Sequence, residues 1–170
     1  MTTASNVAVG VTGSVYGAPT GSTLATDSTT ALDAAFVELG YITDAGIREN
    51  QNSATNQIKA WQNGDIVREI QTEHNLTYAL DFLESSAEVL EAFYGNETTG
   101  TVEITGAQGT RQAWTFNIVD GTTTIRLVIP DGQITDRGEV QYVNGNAIVY
   151  PITITCYPDT SGVKAYRYQA

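Results

Sequence analysis

Cysteine, histidine and methionine each occur once in these 170 residues, and lysine only twice. With Cys156 alone, no intrachain disulfide and no zinc site built on several thiolates is available. With His74 alone, there is no histidine pair at metal-ligand spacing, and no Asp-x-Asn-x-Asp run offers a calcium loop. Neither Lys59 nor Lys164 follows a glycine-rich loop, so the phosphate-cradling P-loop pattern is missing. Residues 1–10 lack a charged leader followed by an apolar stretch, and no segment approaches the roughly 20 apolar residues of a membrane span. The expectation is a soluble chain made in a cytoplasm, with no cofactor, no metal and no membrane partner.

Positive charge is also scarce. Nineteen acidic residues against 8 basic ones give a net charge of −11. Between Arg68 and Arg111 there is no Lys or Arg, yet Glu69, Glu73, Asp81, Glu84, Glu88, Glu91, Glu97 and Glu103 lie there. Phosphate binding is driven by Lys and Arg, so such a chain does not hold nucleic acid without a local basic patch. Acidity serves solubility, or it marks a surface that must not retain a polyanion; the charge count leaves both open.

A catalytic constellation is equally hard to assemble. His74 sits at a predicted turn, with no nucleophile elbow around it. Cys156 falls in register with Ile148, Tyr150, Ile152 and Ile154, which marks a small core residue rather than a reactive thiol. The nearest carboxylate sets for glycoside hydrolysis are Asp131 with Asp136, and Glu84 with Glu88 and Glu91. The second set occupies one face of a predicted helix, a like-charged stripe suited to solvent or a partner subunit. The chain reads as non-enzymatic.

What remains is a strand-rich pattern, with 41% hydrophobic residues and abundant glycine and threonine. Residues 1–30 carry one charge, Asp27, and read as an N-terminal arm that orders against a neighbour. Residues 48–64, polar and rich in Asn and Gln, read as a long irregular loop. Ile66 and Ile70 share one strand face and Glu69, Gln71 and Glu73 the other; after a turn near His74 the pattern resumes through Leu76, Tyr78, Leu80 and Phe82, which predicts a hairpin. Ser85-Ser86-Ala87-Glu88 fits a capping box opening a helix over about 85–94, with Gly95 as its stop. Strands follow at Val102–Ile104 and at Trp114–Ile118, the latter joined by Asp120-Gly121 to Ile125–Ile129. A further hairpin is expected through Asn144-Gly145, from Val140 and Tyr142 to Ile148–Ile154, and a last strand near Tyr166–Tyr168. No repeat period appears. The expected fold is mainly β, a sandwich or barrel-like body with one short flanking helix.

Several segments resemble one known family. LDAAFVELGYITDAGI (Leu32–Ile47), IKAWQNGDIVR (Ile58–Arg68), LEAFYGN (Leu90–Asn96) and RLVIPDGQIT (Arg126–Thr135) are similar to the major tail tube proteins of long non-contractile-tailed bacteriophages, especially those of actinobacteria. YGAPTGSTL (Tyr16–Leu24) and TITCYPD (Thr153–Asp159) fall in the same order. The resemblance implies one tail tube domain over 1–170, without the C-terminal immunoglobulin-like domain some members carry. It implies subunits that form hexameric rings, stacked into a virion tube around a tape-measure protein, meeting terminator and tip proteins, and later passing DNA without specific binding. The 48–64 loop then mediates contact between rings, through Arg48, Lys59 and Trp61. The alternative for Trp61 is that it begins the next strand and packs in the core. Glu69, Glu73 and Glu103 are the lumen-lining candidates, though the outer surface suits them equally. The N-terminal arm and Lys164–Gln169 are expected to donate strand edges to neighbours. Competing readings are a tail terminator or capsid decoration protein, and more remotely a carbohydrate-binding sandwich.

Overall fold

The computed structural model describes residues 7–95 and 97–170. Alternating side chains build its body. In β1 (Thr12–Pro19), β7 (Arg111–Asp120) and β8 (Thr123–Arg137), the inward residues are Val15, Trp114, Phe116, Leu127 and Ile129. Opposite them, β4 (Ile66–Phe82) contributes Leu76, Tyr78, Leu80 and Phe82, and β9 (Tyr150–Cys156) contributes Tyr150, Ile152, Ile154 and Cys156. The Tyr78 and Phe116 rings meet edge-on between the layers, their centroids 5.4 Å apart. Each such side chain, taken fully out of water, contributes about 1.5–3 kcal/mol before the cost of ordering it.

The layers belong to one antiparallel sheet, ordered β2 (Val37–Glu38), β1, β7, β8, β9, β4, β3 (Arg48–Lys59). β8 turns its corner. One edge of β8 pairs with β7 from Thr123 to Gln133, while the other pairs first with β10 (Tyr166–Gln169) and then with β9. Between those partners Pro130 and Asp131 together oppose the single residue Ala113, a bulge that bends the strand and accommodates a proline with no ladder donor. Gly132 follows because nothing larger fits: a Cβ there would lie 2.9 Å from Trp114 Cδ1 and 3.0 Å from Ile154 Cγ2. The corner is held from outside by Arg111, which pairs with Asp131 at 2.7 Å and lies over the Tyr157 ring at 4.0 Å.

Residues 20–36 cover the outer face of β1, β7 and β8. Phe36 packs on Ala18 and Ala113, with Leu24 and Leu32 beside them. Arg126 reaches out from β8, buried to 6% exposure, and donates to the carbonyls of Asp27 and Thr30 and to Asn117 Oδ1. A buried guanidinium is tolerable only with its donors satisfied, and these acceptors fix the covering segment. Asp27 shapes the turn that presents them: its carboxylate accepts from Thr30 and Thr29, and those bonds lower its pKa to about 2.

The helix, α1 (Ala87–Tyr94), packs Val89, Ala92 and Phe93 into the body and stops at Gly95, whose φ of 84° suits a residue without Cβ. Its N-cap is Ser86, which accepts from Val89 N; the cap lies one residue beyond the expected Ser85, and with Val89 three residues on, the reciprocal capping box does not form. Ser85 instead bonds Tyr150 Oη at 3.0 Å, and Glu88 sits in the first turn.

The mainly β body, the flanking helix and the Asp120-Gly121 hairpin agree with the sequence reading. Other expectations fail for identifiable reasons. Residues 48–59 are a regular strand, not a loop, and 66–82 are one strand, not a hairpin turning at His74. The break in alternation comes from a bulge: Ala54 opposes Glu73 and Thr55 opposes Gln71, leaving Thr72 unpaired. Only the turn of the Asn144-Gly145 hairpin forms, because no strand precedes Tyr150 there. β6 is confined to Thr101–Val102, paired with β5 (Glu97–Thr98), and Ile104 is left exposed. β1 is a sheet strand with Val15 fully buried, so from Thr12 onward the segment read as an arm is part of the body, and residues 1–6 of that segment lie outside the described set. β10 pairs within its own chain, on β8, rather than being left over for a neighbour.

Candidate assembly surfaces

Residues 52–59 of β3 and the first ten residues of β4, Ile66–Asn75, leave the body as a two-stranded ribbon exposed along its whole length. At about 3.3 Å per residue the free part of β4 reaches roughly 33 Å. The sequence permits this because seven of the twelve residues of β3 are Asn, Gln, Ser or Thr, which lose nothing by staying wet. Main-chain pairing holds the strand, with cross-strand bonds such as Gln71 Nε2 to Ser53 Oγ at 3.2 Å and Thr72 Oγ1 to the Ala54 carbonyl at 3.2 Å.

At the tip, Asn63 and Gly64 take left-handed φ values of 57° and 69°, and Ala60 N bonds the Asp65 carbonyl at 2.7 Å. This turn holds Trp61 98% exposed. The core alternative for Trp61 is thereby overturned. Ile58, Ile66, Val67 and Ile70 are exposed nearby, an apolar concentration out of place on a solvated ribbon. Lys59 stands beside the tip, opposite Ile66. Arg48 lies at the root, where it pairs with Asp81 at 3.0 Å. The structure therefore brings Lys59 and Trp61 together and sets Arg48 at the other end of β3.

The bulge also separates the acidic candidates. Glu69 opposes Gln57 and Glu73 opposes Ala54; Gln57 and Ala54 are three apart on an unbulged strand, so they face opposite ways. Glu69 and Glu73 thus project from opposite ribbon faces, against the shared face expected from spacing alone. Ile66 and Ile70 are parted in the same way by the second register shift, at Ile58/Lys59. Glu103 is exposed in the connection after β6.

Two of the grooves among the described residues flank β1. One, of about 670 Å³, runs between Gly10–Gly13 and Tyr41–Ile47. The other, of about 180 Å³, lies between α1 and β1–β2; Ala35, Val37, Leu39 and Ala92 form its apolar lining, with Glu88 and Glu91 from the helix.

Burial pushes the Cys156 thiol up to about 12, as its place in the core register requires. Burial likewise raises the Tyr78 hydroxyl, which donates to Glu49 Oε2 at 2.9 Å. His74 lies on β4 at the root of the ribbon, not at a turn, and its carbonyl accepts from Lys164 Nζ. Among the described residues no three His, Cys, Asp or Glu side chains converge to hold a metal.

An all-β body with a projecting ribbon, apolar at its tip, is the build of a structural assembly subunit. The chain belongs to the phage tail tube protein family, whose model matches residues 1–168. It is a structural component of the phage tail, and so of the virion. No curated protein matches the chain. Among solved structures, a chain of the PVC sheath/tube terminator, from an extracellular contractile injection system in its extended state, is 8% identical with a TM-score of 0.51. That likeness covers 97% of this chain and 99% of that one, and it shows a shared fold. The tube-terminating cap of the anti-feeding prophage is 12% identical over 100% of both chains, with a TM-score of 0.47. A chain from the virion of a native gene transfer agent particle is 10% identical over 82% of this chain and 92% of that one, with a TM-score of 0.44.

Proposed function

We propose that residues 1–170 act as one tube domain that polymerises with copies of itself into stacked, hexameric rings, the DNA conduit of a long non-contractile tail. The observation that carries this reading is the ribbon: a family member holds Trp61 98% exposed at the end of roughly 33 Å of strand, where only another molecule can cover it. Lys59 and Trp61 are the contact residues at the tip, and Arg48 braces the root through Asp81. Six-fold rings, a tape-measure partner, terminator and tip proteins, and assembly in the host cytoplasm complete the proposal. Catalysis has no part in it.

The net charge of −11 suits a conduit, because a wall without clustered Lys and Arg does not trap phosphates. Of the acidic candidates, Glu73 lies on the ribbon face that continues the outer side of β4, with Thr77, Ala79 and Asp81; Glu69 lies on the face that continues its core side. One wall takes one of the two, so the lumen set we propose is Glu103 with either Glu73 or Glu69.

Negative-stain electron microscopy across protein concentration and salt tests the reading. Hollow tubes of uniform width with an axial repeat are expected. Rings that never stack would transfer the assignment to a terminator, a reading favoured by the 0.51 TM-score to a sheath/tube terminator.

A further inference from the structure

The ribbon tip and the 180 Å³ groove stand at opposite ends of β4: the tip turn precedes Ile66, and α1, which walls the groove, follows Phe82. The 17 residues of that strand span roughly 55 Å. A tip therefore cannot enter the groove of its own chain.

The two ends are also complementary. The tip offers one indole, 98% exposed, between Lys59 and Arg68. The groove offers an apolar floor of Ala35, Val37, Leu39 and Ala92 under Glu88 and Glu91, with no basic residue in its lining. An apolar cavity of about 150 Å³ holds a benzene molecule, so this groove has room for the six-membered edge of an indole.

We propose that Trp61 of one copy seats in the groove between α1 and β1–β2 of the next copy, with Lys59 and Arg68 set against Glu88 and Glu91. The inference rests on the tube reading and names the receptor for its contact ribbon. A contact between two different surfaces of identical subunits is head-to-tail, the kind that closes into rings or continues as a filament. Burial of the indole carries the affinity, while the exposed charge pairs contribute little energy and select register and partner.

The test replaces Trp61 by photoreactive p-benzoylphenylalanine in a mixture of isotope-labelled and unlabelled chains, irradiated under assembly conditions and mapped by mass spectrometry. Intermolecular crosslinks to 35–39 or 88–92 are expected. Crosslinks to Tyr41–Ile47 beside the larger groove, or to the β3 edge, would overturn the docking. Alongside, Lys59→Glu with Arg68→Glu, and separately Glu88→Lys with Glu91→Lys, should each raise the critical assembly concentration at least about tenfold. All four changes together should bring it back to within about threefold of the parent; no recovery in the combined variant would also overturn the docking. Tubes whose tip crosslinks elsewhere refute this contact and leave the tail tube reading standing. Monomer at every concentration and salt refutes the tail tube reading itself.

Discussion

β4 passes through two environments within one strand. From Leu76 to Phe82 every second residue is buried and β9 pairs along the whole stretch, with β3 on the other edge as far as Ala79; from Ile66 to Asn75 every residue is exposed and β3 is the only strand paired with it among the described residues. In the body, side chains choose the conformation, because one register alone buries Leu76, Tyr78, Leu80 and Phe82. In the ribbon, the backbone ladder holds the shape and side chains are left over for other work. The difference separates residues that keep the protein folded from residues that give it a partner, and it is open to direct test.

The largest effect belongs to the body. Leu80→Ala empties a site with no exposure and should cost about 3 kcal/mol, read as a lower denaturation midpoint at dilutions where the protein is monomeric. Gly132→Ala should follow at about 2 kcal/mol in the same assay, since its Cβ meets Trp114 at 2.9 Å and Ile154 at 3.0 Å; a neutral result would show that the β8 corner relaxes freely. Ser86→Ala removes the α1 cap and should cost about 1 kcal/mol, whereas Ser85→Ala leaves the helix capped and loses only the bond to Tyr150. At the small end, Trp61→Ala should change monomer stability by no more than about 0.5 kcal/mol while abolishing tubes. A large loss of stability there would erase the distinction between ribbon and body.

The same distinction explains what could be read without coordinates. Alternation exposed β7, the first half of β8 and β9, and the apolar register of Cys156 located it in the core. β3 was invisible because Asn50 to Gln57 gives no apolar period; its strand exists only by pairing with β4. The unpaired Thr72 shifted the phase of β4 and imitated a turn, which in turn put Glu69 and Glu73 on one face. β8 was traced to Ile129 and no further, since Pro130 reads as a terminator unless the bulge opposite Ala113 is known. The sequence reading grouped Arg48, Lys59 and Trp61 in one polar segment, and the structure sets only Lys59 and Trp61 together at the ribbon tip. The brace between Arg48 and Asp81 spans 33 positions and leaves no local signal.

One edge of β3 has no strand beside it among the described residues, and between Arg48 and Lys59 it carries a single charge, Glu49. Soluble proteins usually guard such an edge with lysine, proline or a twist. Here an amide-rich stretch stands open instead, the composition from which side-chain ladders are stacked in fibrils. The docking proposed above leaves this row of backbone groups open, so disordered precipitation through it competes with tube growth for the same subunits. Supply of subunits has to be matched to the number of growing ends, and a purified stock should keep best dilute and cold.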